Sequence, residues 1–91
     1  MTYSHLHIAT LSTAVGFGTI PAGTVAARVQ AVTKSVYYTL DGSTPTSTNG
    51  MIIPADQSPI SIIGTLSQVK FLETAGSAAL NVIFEIDRTS L

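Results

Sequence analysis

Between Ala79 and Asp87, Leu80, Val82, Phe84 and Ile86 fall on one side of an extended chain, while Asn81, Ile83, Glu85 and Asp87 fall on the other. This period of two predicts a half-buried β-strand whose apolar side enters the core. A second alternation runs from Thr24 to Thr33, with Val25, Ala27, Val29 and Ala31 on one face and Thr24, Arg28 and Gln30 opposite. A helix would bring Arg28 and Val32 together, and the density of Val and Thr favours the extended form. Val36, Tyr38 and Leu40 form a third apolar face against Tyr37 and Thr39. The Lys34-Ser35 connection between the second and third patterns is short, which predicts a hairpin.

Shorter segments follow the same logic. Leu6 and Ile8 alternate with His5, His7 and Ala9, placing both imidazoles on one face of a short first strand. Residues 1–4 either prolong that strand or lie across a neighbour as an extended arm. Leu11 to Gly23 carries Gly16, Gly18, Pro21 and Gly23, and so predicts an apolar, packed loop with an extended piece around Phe17 to Ile20. Met51-Ile52-Ile53 and Ile60-Ser61-Ile62-Ile63 are short strands separated by a turn bounded by Pro54 and Pro59. Gln68 to Thr74 is a further strand, with Val69 and Phe71 on one side and Lys70 and Leu72 on the other; the pattern alone leaves open which side is inside.

Between the third strand and Met51 lies a turn whose chemistry is readable residue by residue. Asp41 is placed to accept hydrogen bonds from N–H groups just beyond it, Gly42 tolerates positive φ, and Pro45 steers Thr44 out of the helical region. Repeated short strands, Gly and Pro punctuation and the absence of a convincing helical pattern predict a single all-β domain over residues 1–91, an antiparallel β-sandwich of about seven strands. Full burial of Phe84 in such a core contributes about 1.5–3 kcal/mol.

Composition shifts attention from chemistry to surfaces. Charged residues are 10% of the chain, against roughly 25% in an ordinary soluble domain. Charge resists burial, so a surface of Ser, Thr and small apolar groups is easier to cover with neighbouring subunits; a small Thr-rich β-protein shows the same deficit. Net charge is −1, and Arg28, Lys34, Lys70 and Arg88 are scattered, giving no electrostatic footprint for nucleic acid. Without cysteine there is neither a disulfide framework nor a thiolate metal site. No stretch reads as a signal or a membrane span, so synthesis in the cytoplasm and no membrane partner are expected.

Candidate chemistry is sparse. His5 and His7 project to the same side and offer two imidazoles, but no carboxylate at diagnostic spacing completes a metal set, so exposed strand histidines are expected and no metal. Asp41 and Asp56 sit in loops without a dense run of oxygen ligands, and Ser43 has no nucleophile-elbow glycines. No catalytic residue and no cofactor site is assigned. The large outward residues Tyr37, Leu72 and Ile83 mark a contact surface if they cluster, the alternative being that a loop covers the edge they lie on.

Two resemblances bear on function. Val36-Tyr37-Tyr38-Thr39-Leu40-Asp41-Gly42-Ser43-Thr44-Pro45-Thr46 resembles the signature of the small immunoglobulin-like modules appended to bacterial chitobiases and other surface glycosidases, which implies an Ig-like sandwich and an accessory, carbohydrate-associated role. The order of that turn, Gly50 with its apolar strand, the Asp56 loop, Val69-Lys70-Phe71 and Thr74 through Val82 is similar to small tailed-bacteriophage structural proteins of the capsid decoration, or cement, type. That likeness implies a virion protein made in the host cytoplasm and placed on the capsid surface, with the major capsid protein as partner and self-association, a trimer for example; it makes Tyr3, His5, His7, Tyr37, Leu72 and Ile83 the candidate interface, and head-neck and fibre positions are the alternatives.

Overall fold

Seven strands form in the computed structural model, which describes residues 2–87: β1 (Thr2–Ile8), β2 (Thr24–Val32), β3 (Val36–Thr39), β4 (Met51–Ile53), β5 (Ile60–Ile63), β6 (Lys70–Glu73) and β7 (Ala79–Ile86). They build a four-stranded sheet in the order β1-β7-β2-β5 and a three-stranded sheet in the order β4-β3-β6, with every strand pairing antiparallel. The two longest alternating patterns, β2 and β7, lie at the centre of the larger sheet, as expected of strands that bury one whole face. The architecture is an Ig-like β-sandwich. Thr2–Ser4 belong to β1 and pair with Ile86–Phe84 rather than forming an arm, while Met1 lies outside the described residues.

The predicted β2–β3 hairpin does not form. β2 is flanked by β7 and β5, and β3 by β4 and β6. At the connection Thr33 takes a φ of 75°, and the Lys34 N–H donates to the Val32 carbonyl at 2.9 Å. Ser35 is then held by Thr74, whose N–H and Oγ1 donate to its carbonyl at 3.1 and 2.8 Å. This tight reversal carries the chain to the opposite sheet, where Val36 faces the same core as Val29 and Ala31 from the other side.

Both inner faces meet in one apolar cluster. Ala27, Val29, Ala31, Ile62, Leu80, Val82, Phe84 and Ile86 come from the larger sheet, and Val36, Ile53 and Phe71 from the smaller. Phe71 and Val69 are the buried side of the sixth segment, which settles the side that its pattern leaves open. Leu66–Gln68 is a short 3-10 turn, so β6 starts later than the expected Gln68.

The Leu11–Gly23 loop is packed as expected, but its extended contact is at Val15 rather than Phe17–Ile20. Val15 exchanges two backbone hydrogen bonds with Phe71, at 3.0 and 2.7 Å, and the Glu73 N–H donates to the Leu11 carbonyl at 3.0 Å. The loop therefore satisfies the free edge of β6. It also delivers Phe17 into the core, where its ring meets Phe71 and Phe84 edge-on at centroid distances of 5.1 and 5.4 Å.

Two residues assigned to apolar faces are exposed. A bulge between Thr24 and Ala26 resets the ladder with β7 and turns Val25 outward. Leu40 lies past the end of β3, where the chain has left the sheet. Thr39, assigned to the polar face, is buried because the following loop folds over it and the Ser43 carbonyl accepts its Oγ1 hydrogen at 2.6 Å.

Candidate functional site

The outer face of the four-stranded sheet gathers four of the six candidate interface residues. Register places Tyr3, His5 and His7 of β1 opposite Glu85, Ile83 and Asn81 of β7, and Ile83 and Asn81 opposite Arg28 and Gln30 of β2. His5, Ile83 and Arg28 thus form one row across three strands, and with Tyr3 they line a shared depression. This follows from alternation: residues two apart on a strand project to the same side.

Some of the polar side chains on that face are held within the molecule. Arg28 Nε donates to Glu85 Oε1 at 2.8 Å, a partly exposed ion pair that contributes little net stability but leaves the patch without net local charge. His7 Nδ1 lies 2.7 Å from Asn81 Oδ1, and Gln30 Nε2 donates to the Gln57 carbonyl at 2.9 Å. Ile63 of β5 adds a side chain that is 76% exposed.

Tyr37 and Leu72 lie on the opposite side of the sandwich. They are register partners across β3 and β6, and Ile52 pairs with Tyr37 from β4, so Ile52, Tyr37 and Leu72 make an apolar row on the outer face of the smaller sheet. The six residues are therefore two surfaces, one for each sheet. Ile52 and Ile63 belong to these surfaces and were missed, because a strand of three or four residues gives too few alternations to tell the inner side from the outer.

The Asp41 turn has the geometry its sequence implies. Asp41 Oδ1 accepts the Ser43 N–H at 3.0 Å and the Ser43 hydroxyl at 2.5 Å; Gly42 takes a φ of 84°, and Pro45 is fully buried. The Ser43 hydroxyl, then the Ser43 N–H, hold the Asp41 carboxyl below its ordinary value. A lowered value stabilises the turn at pH above the ordinary carboxylate range, and that contribution disappears as pH falls through the lowered midpoint. In a carbon-detected NMR titration, Ser43→Ala is expected to move the Asp41 midpoint upward, back toward the ordinary range; an unchanged midpoint would contradict this account of the turn.

Asp56 also has a structural task. Its Oδ1 accepts the Thr33 N–H at 3.3 Å, and its own N–H donates to the Ala31 carbonyl at 2.8 Å. Among the described residues, no group of three or more His, Asp or Glu side chains is placed to hold a metal ion, and no helix is long and apolar enough to cross a membrane. What the arrangement offers is two outward surfaces, one on each sheet.

Comparison with known proteins gives one finding. The family model described as Fn3 associated matches residues 28–84, a span that runs from within β2 to within β7 and contains the Asp41 turn. No curated protein and no solved structure matches the chain.

Proposed function

The chain belongs to the Fn3-associated family, and we propose that it serves as a reactionless structural module, a capsid decoration protein that binds an assembled phage shell through the outer face of its four-stranded sheet. The observation that carries this reading is the convergence of Tyr3, His5, Arg28 and Ile83 on one charge-compensated patch. The patch carries no unpaired charge, so the Arg28–Glu85 pair stays matched when covered, and its central Ile83 supplies an apolar contact. The resemblance of the Asp41 turn, the Gly50 strand and the Thr74–Val82 segment to phage structural proteins supports the major capsid protein as partner and the virion surface as location.

The mechanism is linkage. A protein that binds the expanded lattice better than its precursor shifts the equilibrium toward the expanded form in proportion to that preference. Repetition over the lattice multiplies a modest effect at each site. Incubating the purified protein with undecorated expanded shells and with precursor shells, then measuring co-sedimentation, is expected to show saturable binding to expanded shells and a raised shell melting temperature. Absence of saturable binding to expanded shells contradicts the reading. Binding to isolated necks or fibres in its place would assign the same module a different position in the particle.

A second reading, an accessory carbohydrate-associated module, draws on the other face. Tyr37 lies at the middle of the Ile52-Tyr37-Leu72 row, where a ring could support a sugar. Glycan-array binding lost in Tyr37→Ala, without affinity for shells, would establish that role in place of the first.

A further inference from the structure

Each sheet edge in the described residues is short or covered, with one exception. The free side of β6 is satisfied by Leu11 and Val15. β4 has three residues and is followed by Pro54, and β5 has four residues between Pro59 and Gly64. β1 is seven residues long, ends the larger sheet, and pairs with β7 along its whole length without a register shift. Among the described residues, no further backbone hydrogen bond reaches β1 from its outer side.

Thr2–Ile8 also carries none of the usual devices that block edge pairing: it contains no proline and no charged Lys, Arg, Asp or Glu, and its ladder has no bulge. Alternate residues of an edge strand point their N–H and C=O groups away from the sheet, so this edge presents a row of donors and acceptors of fixed spacing. The strand also lies outside the 28–84 segment that matches the family model.

We propose that β1 pairs antiparallel with β1 of a second copy, about a twofold axis at His5. That register sets His5 opposite His5, Tyr3 opposite His7, Ser4 opposite Leu6 and Thr2 opposite Ile8. Every pair keeps its face: Tyr3, His5 and His7 stay on the exposed outer side, while Ser4, Leu6 and Ile8, half-buried in one chain, remain on the core side and gain cover. Self-complementarity of one uncharged strand favours a second copy over an unlike partner, since a twofold interface needs only one surface that fits itself. Tyr3 and His7 meet as cross-strand neighbours, a pairing of aromatic groups that stabilises a ladder.

The product is a continuous eight-stranded sheet whose outer face carries the Tyr3, His5 and Ile83 patch twice. Two patches on one continuous sheet bind a repeating surface with the advantage of a linked pair. Dimer formation itself does not depend on what the patch binds, so it is tested without shells.

Sedimentation equilibrium from micromolar to millimolar protein is expected to show the mass rising from 9.5 kDa toward twice that value, with β1 amides gaining protection from hydrogen exchange over the same range. His5→Lys sets two ammonium groups opposite each other and is expected to raise the dissociation constant by up to about fivefold; His5→Glu does the same with carboxylates. An equimolar mixture of the two variants is expected to recover the dimer. His5 is exposed, and unchanged thermal melts at low concentration verify that both variants fold. A wild-type chain that stays monomeric throughout overturns the proposal, as does a dimer that His5→Lys leaves at full strength or a variant mixture that fails to pair.

Discussion

Phe71→Ala is expected to lower the free energy of unfolding by about 3–5 kcal/mol, the range for emptying a buried phenylalanine site. Phe71 is fully buried, and its loss removes more than its own ring. Phe17 meets both Phe71 and Phe84 edge-on, so the deletion leaves Phe17 without one of its two aromatic neighbours and opens a cavity between the sheets. The backbone of Phe71 also holds Val15, which limits how far the loop can collapse to fill that space. For a domain of this size the loss corresponds to a fall in melting temperature of at least about 12 °C. The neighbouring Leu72→Ala, on the outer face, is the control, and a surface truncation there is expected to cost well under half as much. Chemical denaturation of the two variants beside the wild type measures both; a loss below about 1 kcal/mol for Phe71→Ala would be too small for a residue filling a close-packed core.

Gly50→Ala is expected to cost about 2–4 kcal/mol, because backbone strain and overpacking act at the same atom. Gly50 adopts a φ of 106°, outside the range an alanine takes without strain. A Cβ there would fall onto the carbonyl oxygen of Tyr38 and come within 2.8 Å of Thr39 Cγ2. The first obstacle is backbone inside β3 and cannot rotate away. Gly18 is the comparison, since it also has a positive φ, of 74°, but its added Cβ meets nothing within 4 Å. Gly18→Ala therefore isolates the conformational cost, about 1 kcal/mol, and thermal melts of both variants separate strain from collision. Equal losses at the two positions would show that the Gly50 contact with β3 does not constrain the loop.

The parts of the fold that were legible in the amino-acid pattern are those fixed by local rules. β7 keeps its period over eight residues, and the structure buries Leu80, Val82, Phe84 and Ile86 as that period implies. The Asp41-Gly42-Ser43 turn follows from hydrogen-bond reach and φ freedom, both properties of three consecutive residues. The β2–β3 connection was misread because a short link does not state which sheet it enters, and Thr33 is not a residue type that announces a positive φ. Val25 was misplaced by a bulge, which inserts one residue into the count and leaves no compositional mark when that residue is a valine.

The candidate surface was legible residue by residue but not as a surface. Alternation made Ile83 and Tyr37 outward, and both are; that they lie on opposite sides of the molecule depends on the strand order, which no local pattern encodes. Tyr3, His5 and Ile83 came together because β7 sits between β1 and β2, a long-range arrangement. The same topology brings Arg28 into the patch, a residue that in the chain alone was one of several scattered cations.

The most direct measurement compares Ile83→Lys with Tyr37→Lys for binding to expanded shells, each variant being verified as folded. Ile83 marks the outer face of the four-stranded sheet and Tyr37 that of the three-stranded sheet, so the pair reads out which side engages the lattice. The proposed function predicts that Ile83→Lys abolishes saturable co-sedimentation while Tyr37→Lys keeps it. Loss in Tyr37→Lys with full binding by Ile83→Lys would contradict it.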